Sequence, residues 1–362
     1  MKIGIDASRY SHETATGVEW YSYQIINGII SESLKQEDCE IVLYSSKNIP
    51  IPEEFEGLKR IRKRIMPMKR FWTLLRLSKE IRENPPDVLF IPSHTLPLCH
   101  PRFSVITIHD VAFKYLPKSY SIIAKWYLNW STKFASKKAS RIIVPSESTK
   151  KDLIEFFDCS PHKIEVIHHG FKSHRKSAHY VPKHKIDSPY IFSIGRIESK
   201  KNLTRLIEAF KNFSESRPEY KLVLAGKEGF GSKEIFAKVK ELSLGNKVVF
   251  TGYVDEDEKS CLYENCEFFV FPSFYEGFGY PLLEAFHYGK PILTSHVSCL
   301  PEIAGDAALY FDPFDTATIV QALEKISSNK DLRADLIQKG TERLKHFSLQ
   351  DSVKKTFDIL TK

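Results

Sequence analysis

Short apolar runs alternate with longer amphipathic segments along this chain, in two series on either side of one polar stretch. The runs are rich in Ile, Val and Phe, which is typical of strands buried on both faces of a parallel sheet. They lie at residues 2–6, 40–45, 88–92, 105–109, 141–145 and 164–168, and then at 190–194, 222–225, 248–251, 268–271, 291–294 and 308–311. The alternation predicts an α/β protein with two doubly wound, Rossmann-like parallel sheets.

The polar stretch divides the chain into two predicted domains. Residues 173–188 are mostly polar and contain no strand-like run, which favours a linker. We therefore expect one domain over residues 1–172 and a second over residues 189–346. A length of 362 residues is consistent with two cores of ordinary size. Two such domains facing each other would leave a cleft between them.

Composition excludes several classes of protein. The six cysteines are scattered without a CxxC pair, so neither a disulfide scaffold nor a conventional structural zinc site is expected. No apolar run approaches the length of a membrane span, and the opening MKIGIDAS is typical of a strand rather than of a signal peptide. We expect a cytoplasmic protein.

The segment EGFGYPLLE, from Glu276 to Glu284, is the strongest candidate site. It follows an apolar run and precedes a helix whose first turn suits Pro281. Glycines permit a tight turn here, and amides at the positive end of a helix form an anion site. The amides expected to point outward are those of Phe278, Gly279 and Tyr280. One carboxylate would face the reacting end of a ligand and the other its hydroxyl-rich middle. The alternative is a glycine turn with two solvated glutamates.

A second candidate is the segment GRIESKKN, from Gly195 to Asn202. Asn202 suits the N-cap of the following helix. Arg196 and Lys201 would stand between the end of a strand and the start of that helix, where two cations neutralise a diphosphate leaving group. Solvated surface charges are the alternative.

Two further candidates lie in the first half of the chain. His109 ends an apolar run, where an imidazole can bind a sugar hydroxyl or transfer a proton, although such a histidine is often structural. Gly17, in the stretch Thr14 to Glu19, would let the backbone approach a phosphate. His168 and His169 end another run and are possible ligand contacts.

No resident metal is expected. Asp255, Glu256 and Asp257 resemble a metal-binding triplet, but they precede a predicted helix, which favours N-terminal capping. Histidines cluster between residues 162 and 184 with irregular spacing, mostly in the predicted linker, which does not indicate a metal site.

The stretch from Lys59 to Arg82, called the basic segment below, contains ten Lys and Arg residues against a single Glu. Apolar side chains, including Trp72, are interleaved with these charges. This pattern suits the surface of an anionic membrane. A solvated basic face or an anionic acceptor is the alternative, and nucleic acid is disfavoured because no nucleic-acid motif accompanies the segment.

These motifs resemble those of family-4 glycosyltransferases, which have the GT-B architecture. The matching features are the GRxxxxKN run, the EGFGxPxxE core of an E-x7-E motif, and the step from Leu300 to Glu302. In the first half, the TGVE stretch and the pair His109 and Asp110 match a subgroup associated with mannosyl or rhamnosyl transfer. The resemblance covers nearly the whole chain.

The resemblance implies roles for particular residues. Arg196 and Lys201 would bind the donor diphosphate, Glu276 the transferred sugar and Glu284 the ribose hydroxyls. Gly17 would approach phosphate, and His109 would contact the sugar or support charge at the reacting centre. The remaining implied donor contacts are Tyr253, Val254, Gly277, Phe278, Gly279 and Tyr280. The resemblance also implies a C-terminal helix, residues 347–362, that packs back on the first domain.

The expected reaction is transfer of a hexose from a nucleotide-diphosphate sugar to a hydroxyl of a saccharide, with retention of the anomeric configuration and without a metal cofactor. GDP-mannose is the first choice of donor, and UDP- and dTDP-sugars are alternatives. We expect a lipid-linked acceptor in cell-surface polysaccharide synthesis, reached at the inner face of the cytoplasmic membrane. A GT-B epimerase, a phosphorylase and a non-catalytic membrane-binding protein remain open.

Overall fold

The computed structural model describes residues 1–11, 17–174, 177 and 180–362, and the chain forms two compact units. Unit 1 comprises Met1–Lys114, Ile122–Gly170 and Phe347–Lys362, and unit 2 comprises Tyr115–Ser121 and Phe171–His346. Each unit contains one parallel sheet with helices, so the predicted pair of α/β folds is confirmed. Among the described residues, no helix has both the length and the apolar character needed to cross a bilayer.

The described residues of unit 1 form a sheet of short, buried strands. The strands are β1 (Lys2–Asp6), β2 (Glu40–Ser45), β3 (Ile61–Ile65), β4 (Val88–Ile91), β5 (Phe103–Thr107), β6 (Arg141–Val144) and β7 (Ile164–Val166). Their order is β3-β2-β1-β4-β5-β6-β7, and neighbouring strands are parallel. The central strands are apolar on both sides because helices cover both faces of the sheet.

The helices of unit 1 follow its strands in alternation. The first five α-helices in the chain are α1 (Gly17–Ser33), α2 (Ser78–Glu83), α3 (Ala112–Tyr115), α4 (Ile122–Lys138) and α5 (Glu147–Phe157). The start of α5 follows the expected capping chemistry, since the Ser146 side chain accepts a hydrogen bond from the Thr149 amide.

The basic segment is built differently from the continuous amphipathic pattern that we expected. It begins with the edge strand β3, in which Arg62 and Arg64 are exposed, and then enters a π-helical turn, Trp72–Leu77, that leads into α2. The strand escapes sequence reasoning because an edge strand carries charged residues that central strands exclude. The charged side chains obscure the alternation of apolar and polar residues by which a strand such as β3 is predicted.

A second correction concerns where strands stop. β5 ends at Thr107, so His109 lies in the loop after the strand rather than at its last position. β7 likewise ends at Val166, before His168 and His169. The amides of Ile108 and Ile167 still bond to carbonyls of β6, and the histidines follow these residues in loops where His109 and His169 are themselves buried.

Unit 2 has a second parallel sheet. Its strands are β8 (Tyr190–Ile194), β9 (Lys221–Ala225), β10 (Val248–Gly252), β11 (Phe268–Phe271), β12 (Ile292–Ser295) and β13 (Leu309–Phe311). Their order in the described residues is β10-β9-β8-β11-β12-β13. The helices are α6 (Leu203–Ser216), α7 (Ser232–Glu241), α8 (Glu256–Asn265), α9 (Tyr280–His287), α10 (Leu300–Ala304), α11 (Thr316–Ser328) and α12 (Lys330–Leu344).

The final helix, α13 (Leu349–Thr361), belongs to unit 1 although it follows unit 2 in the chain. It packs against α1 at Gly28, where any side chain would overlap Val353. Phe357 and Leu360 extend this contact into the core of unit 1. The absence of a side chain at Gly28 therefore lets the two helices approach closely.

In each sheet, successive strands are first added on one side of the first strand and then, after one crossover, on its other side. The reversal falls between β1 and β4 in unit 1 and between β8 and β11 in unit 2. Loops that leave the carboxyl ends of such neighbouring strands diverge and leave a crevice, which is where α/β sheets bind ligands. Both crevices contain residues that the sequence singles out.

Candidate active site

Three charged side chains meet at the reversal point of unit 2. A 3-10 turn, Ser199–Lys201, follows β8 and carries two lysines toward the loop after β11. The Lys201 ammonium donates to Glu276 Oε1 at 2.5 Å, and Lys200 Nζ lies 3.9 Å from Glu276 Oε2. The fold therefore brings together Lys201 and Glu276, which are 75 residues apart in the chain. Sequence reasoning missed Lys200, whose only signal is its place beside Lys201.

Burial and charge oppose each other at Glu276. Burial of this carboxyl acts to raise its pKa, but Lys201 and then Lys200 outweigh that effect, so the pKa of Glu276 lies below its ordinary value. The side chains of Lys201 and Glu276 are 15% and 10% exposed. Lys201 also lies over the Phe271 ring, 5.0 Å from its centroid. Glu276 is thus an ionised carboxylate in a largely buried site, with two lysines beside it.

The loop before α10 holds the Glu276 turn in place. Ser298 Oγ accepts a hydrogen bond from the Glu276 amide at 3.1 Å. The Cys299 thiol lies 3.2 Å from the Glu276 carbonyl oxygen and 3.0 Å from that of Phe278. Neither residue is a sequence-level candidate, although both directly precede the family step at Leu300. They position the turn through its backbone.

The glycine turn itself has the conformation that its residues favour. Gly279 has a φ of 106°, which strains any residue with a side chain, and it stands just before α9. The helix begins at Tyr280, with Pro281 in its first turn. Gly277 and Phe278 are buried, and the rings of Phe278 and Tyr280 meet edge to face at 5.4 Å. These residues therefore line the same turn as Glu276.

Arg196 occupies the other end of the β8 loop. Its side chain is exposed and its guanidinium lies 3.7 Å from Glu198. The loop path depends on two glycines, because a side chain at Gly226 would overlap the Gly195 carbonyl oxygen. Arg196 is thus exposed at the carboxyl edge of β8, where it lines the same pocket as Lys201.

Asn202 differs from the prediction. It stands at the N-cap position of α6, but its side chain caps no amide there and instead donates to the Pro313 carbonyl at 2.8 Å. Its φ of 54° is left-handed, a conformation that Asn adopts more readily than most residues. Its role is to join the start of α6 to the loop after β13.

Glu284 is held by two residues of α8. Its Oε1 accepts from Lys259 at 2.6 Å and its Oε2 accepts from Tyr263 at 3.0 Å. Burial acts to lower the pKa of Lys259, but Glu284 and Glu256 outweigh it and raise that pKa. Glu284 is therefore an oriented carboxylate. Neither partner was singled out from the sequence.

The predicted base contacts lie at the end of β10. Tyr253 is 45% exposed, and Lys227 lies over its ring at 4.4 Å from the centroid. Val254 is partly buried. The edge of the sheet at β10 thus carries a half-exposed aromatic ring with a lysine over it.

Unit 1 presents a different chemistry at its own reversal point. His109 is buried, and its Nε2 lies 3.0 Å from the Pro92 carbonyl oxygen in the loop after β4. Its Nδ1 lies 3.2 Å from His169 Nε2. The Tyr21 ring packs on both imidazoles, and its hydroxyl lies 3.2 Å from Thr107 Oγ1. We call His109, His169 and Tyr21 the histidine cluster.

The hydrogen bonds of the histidine cluster determine its tautomers. A carbonyl only accepts, so His109 Nε2 carries the proton and Nδ1 of a neutral ring is an acceptor. His169 Nε2 must then donate to it. Burial lowers the pKa of His109 to about 3, with His94 as a further cause. Burial, followed by His109, also holds the pKa of His169 well below its ordinary value. Both rings are neutral near pH 7.

This arrangement constrains the predicted roles of His109. Both of its ring nitrogens are occupied, so contact with a sugar requires exchange of one of these bonds. Because its imidazole is neutral, His109 does not act as a cation that stabilises negative charge at the reacting centre. Sequence reasoning singled out His109 and His169 separately but missed Tyr21 and the contact among the three.

Gly17 is the first residue of α1 and is exposed, and no atom of the described residues lies within 4 Å of where a side chain would start. The neighbouring candidates Thr14, Ala15 and Thr16 lie outside the described residues.

The acidic triplet and the linker histidines pair with each other. Asp255 Oδ1 accepts from the Glu258 amide at 2.8 Å, so Asp255 caps α8 as expected. His174 lies 2.8 Å from Asp257, and His184 lies 2.9 Å from Glu258. In the part of the chain that the structure describes, no group of three His, Cys, Asp or Glu side chains is placed to hold a metal ion. The acids tie the polar stretch to α8.

Family models match both halves of the chain. A model described as "Glycosyltransferase Family 4" matches residues 17–175, and one described as "Glycosyl transferases group 1" matches residues 175–343. Together they span the chain from α1 to α12. The two Rossmann-like sheets and the charged loops of unit 2 are those of a GT-B glycosyltransferase that uses a nucleotide sugar.

Individual proteins agree with the models. The chain is 28% identical to O-antigen chain mannosyltransferase B of Escherichia coli over 70% of its own length and 69% of that protein. It is 26% identical to O-antigen chain mannosyltransferase RfbU of Salmonella typhimurium, over 84% and 83% of the two lengths. The solved structure of WaaG, a glycosyltransferase involved in lipopolysaccharide biosynthesis, shares the fold with a TM-score of 0.75 at 17% identity, covering 99% of both chains. The chain belongs to glycosyltransferase family 4.

Proposed function

We propose that this enzyme transfers mannose from GDP-mannose, with retention of configuration, to a hydroxyl of a lipid-linked saccharide in cell-surface polysaccharide synthesis. The observation that carries the proposal is the cluster of Lys200, Lys201 and Glu276 at the reversal point of unit 2. Two ammonium groups and one carboxylate meet there in a largely buried position, so two cations stand close together at this edge of the sheet. Such a site suits a diphosphate.

The cluster also suits the leaving group chemically. A diphosphate that reaches Lys201 competes with Glu276 for its ammonium group. Glu276, once released from Lys201, is free to accept hydrogen bonds from the sugar hydroxyls. Arg196, exposed beside the cluster, adds a second contact to the phosphates. Donor binding therefore exchanges an ion pair within the chain for one with the ligand.

The proposed step forms a bond from the acceptor oxygen to the anomeric carbon and breaks the bond from that carbon to the diphosphate. The leaving diphosphate takes the acceptor proton, so no side chain has to act as a strong base. Lys201 and Arg196 stabilise the charge that develops on the diphosphate. Because the acceptor enters on the face that the diphosphate leaves, the configuration is retained. No metal is assigned a role.

The relatives support the choice of sugar and acceptor. Two of them are named as mannosyltransferases of O-antigen chains, and their names motivate mannose and a polysaccharide product for this enzyme. UDP- and dTDP-sugars are the alternative donors. The lipid-linked acceptor is motivated by the basic segment, which would bring the enzyme to an anionic membrane surface.

Only part of the basic segment offers unpaired charge. Arg62 and Lys63 pair with Glu40 and Glu56, and Arg64 and Arg76 approach the buried Glu80. Lys69 and Arg70, in contrast, are exposed in the turn before Phe71, and no ion pair is recorded for them among the described residues. We therefore propose that Lys69 and Arg70 make the main contact with anionic lipid.

The test of the donor is a thermal-shift panel of nucleotide sugars, followed by transfer assays. A ligand at 100 times its Kd stabilises the folded state by about 2.7 kcal/mol, which is readily measured. GDP-mannose is expected to raise the melting temperature most in the wild type and to have little effect on Arg196→Ala. A larger shift with a UDP- or dTDP-sugar would identify that nucleotide sugar as the donor in place of GDP-mannose. No shift with any nucleotide sugar would contradict the proposal.

A further inference from the structure

The first turn of α4 exposes an unusual amount of apolar surface. Ile122 and Ile123 are each 81% exposed, and Trp126 is 69% exposed. Their spacing places Trp126 next to both isoleucines on the helix surface. The side chains of α4 that are buried belong to its second half, from Ser131 onward. Contiguous exposed apolar side chains of this size mark an interaction surface.

The charge around this turn has one sign. Between Asp110 and Glu147 the sequence contains six Lys and one Arg but no Asp or Glu. Helices usually place acidic residues in the first turn, where they meet the positive end of the helix dipole. The first turn of α4 has none, and Lys125 stands between Ile122 and Trp126. The surface is therefore apolar at its centre and positive around it.

The topology of unit 1 puts this surface beside a second one. The crossovers from β3 to β4 and from β5 to β6 progress in the same direction along the sheet. Because such crossovers are right-handed, α2 and α4 lie on the same face. Both follow the carboxyl end of a strand, so the π-helical turn before α2 and the first turn of α4 start at the same edge of the sheet.

Side-chain contacts connect the two helices through one loop. Ser78 of α2 accepts a hydrogen bond from the Cys99 amide at 3.3 Å. Tyr127 of α4 lies 3.1 Å from Thr95 in the same loop. Phe71 and Leu75, at the start of the π-helical turn, are 63% and 50% exposed. Two exposed apolar groups, each flanked by basic residues, thus share one face and one edge of unit 1.

We propose that Ile122, Ile123 and Trp126 insert into the interfacial region of an anionic lipid bilayer, with Lys69 and Arg70 at the headgroups beside them. The inference rests on the lipid-linked acceptor of the proposed function and adds an insertion element to the electrostatic contact. Charge complementarity selects the occupant, because a positive rim around isoleucines and a tryptophan matches an anionic headgroup layer over acyl chains. With four lysines in its 17 residues, α4 suits a helix that lies on a bilayer.

The test is cosedimentation with vesicles of phosphatidylcholine alone and of phosphatidylcholine mixed with phosphatidylglycerol. The wild type is expected to bind the mixed vesicles. The combined variant Ile122→Ser, Ile123→Ser, Trp126→Ser is expected to bind them at least about tenfold less, because each apolar side chain contributes to insertion. The matched control is Leu58→Ser with Val181→Ser, two exposed apolar residues outside this surface, which should bind as the wild type does.

A fluorescence measurement gives a second readout in case the combined variant folds poorly. Lipids brominated in the acyl chain quench a tryptophan that enters the bilayer. Quenching in the wild type, reduced in Trp126→Phe, would support insertion of α4. Quenching that is unchanged in Trp126→Phe would contradict it.

The remaining outcomes separate this inference from the proposed function. Unchanged vesicle binding by the combined variant overturns the inference, as does a wild type that binds no vesicles. Self-association of the wild type that the combined variant abolishes, without vesicle binding, would show that a second copy of the chain covers the surface. Stabilisation by a nucleotide sugar in a protein that binds no vesicles would refute the inference alone. Vesicle binding through α4 without any nucleotide-sugar response would refute the proposed function alone.

Discussion

The two sheets of this enzyme share a strand order around their reversal points, yet the sites built there are opposite in character. In unit 2 the loops after β8 and β11 bring together Lys200, Lys201 and Glu276, which are charged. In unit 1 the loops after β4 and β5 bring together Pro92 and His109 in a neutral network that includes His169 and Tyr21. One topology therefore supports two kinds of electrostatic environment.

The difference follows from what surrounds each group. Glu276 keeps its charge in a buried position because two lysines face it, whereas at His109 the effect of burial exceeds that of the nearby Asp110 carboxylate, so the ring remains neutral. A site that receives a diphosphate needs positive charge that is already in place. A neutral, hydrogen-bonded cluster instead holds loops in position without attracting anions. The comparison supports the proposal that unit 2 binds the diphosphate.

The largest expected effect is on the backbone that carries the charged site. Gly226→Ala would drive a side chain into the Gly195 carbonyl oxygen at a residue whose φ is 144°. We expect a loss of about 3–5 kcal/mol in the free energy of unfolding, measured by urea titration. Gly245→Ala is the control, since no atom lies within 4 Å of its added carbon, and it should change stability by less than about 1 kcal/mol. Equal effects of the two changes would show that Gly226 does not constrain the loop.

Removing a charge from unit 2 is expected to cost more activity than altering the histidine cluster. Lys201→Ala should lower turnover roughly 100-fold, because it removes a cation that stabilises the leaving diphosphate. Glu276→Ala should lower it by a similar factor, because it removes the carboxylate proposed to accept hydrogen bonds from the sugar hydroxyls. His109→Gln, which can still donate and accept hydrogen bonds, should lower turnover about tenfold or less. Lys211→Ala, which breaks an exposed pair on α6, is the control for a lysine outside the site. Near wild-type turnover in both unit 2 variants would refute the assignment of the active site.

The two sites should also respond to pH in different ranges. The unfolded chain protonates His109 below about pH 6.5, while the folded chain keeps it neutral down to a pKa of about 3. The unfolded state thus binds more protons in this range, and the free energy of unfolding falls as pH falls. At pH 5 this histidine should cost about 2 kcal/mol relative to pH 7.5.

Glu276 changes the free energy of unfolding over a lower pH range than His109 does. Its pKa is below the ordinary value of 4.5, so its stabilisation is present above that pH and is lost only as pH falls through the lowered pKa. Urea titrations at pH 7.5 and pH 5 should therefore show a decline that His109→Gln reduces and Glu276→Gln leaves unchanged. A decline that does not depend on His109 would show that the ring is charged in the folded protein.

The smallest expected effect concerns Arg196. Its partner Glu198 lies at 3.7 Å and the guanidinium is largely exposed, so the pair adds little to stability. Glu198→Gln should change the free energy of unfolding by less than about 0.5 kcal/mol. It should also slightly increase the thermal shift caused by the preferred nucleotide sugar. A loss of nucleotide binding would instead mean that Glu198 holds Arg196 in its working position.

Sequence patterns predicted the sheets well where strands are buried on both faces. Apolar runs placed β8 and β11 with their observed bounds, since a central strand has only apolar neighbours. The same logic failed for β3, an edge strand that carries arginines. It also overextended β5 into a buried loop and so placed His109 on a strand. Periodicity reports burial, and burial does not distinguish a strand from the loop that follows it.

Individual site residues could be recognised from local patterns, but their partners could not. The spacing of the glycines and glutamates between Glu276 and Glu284 was enough to single out that turn. The spacing of Arg196 and Lys201 was likewise enough to single out that pair. Ser298 and Cys299, which hold the Glu276 turn, carry no local signal. Their importance arises from a contact that only the folding of β12 beside β11 creates.

The order of polar and apolar residues along this chain was thus sufficient to determine two α/β units and the glycine turn before α9, because these features depend on local geometry and hydrophobic burial. Tertiary structure alone decided that Lys201 meets Glu276, that Glu284 is held by Lys259 and Tyr263, and that His109 is neutral. Charge states and partnerships depend on distances of a few ångströms between segments far apart in the chain. Those distances exist only after the sheets have assembled.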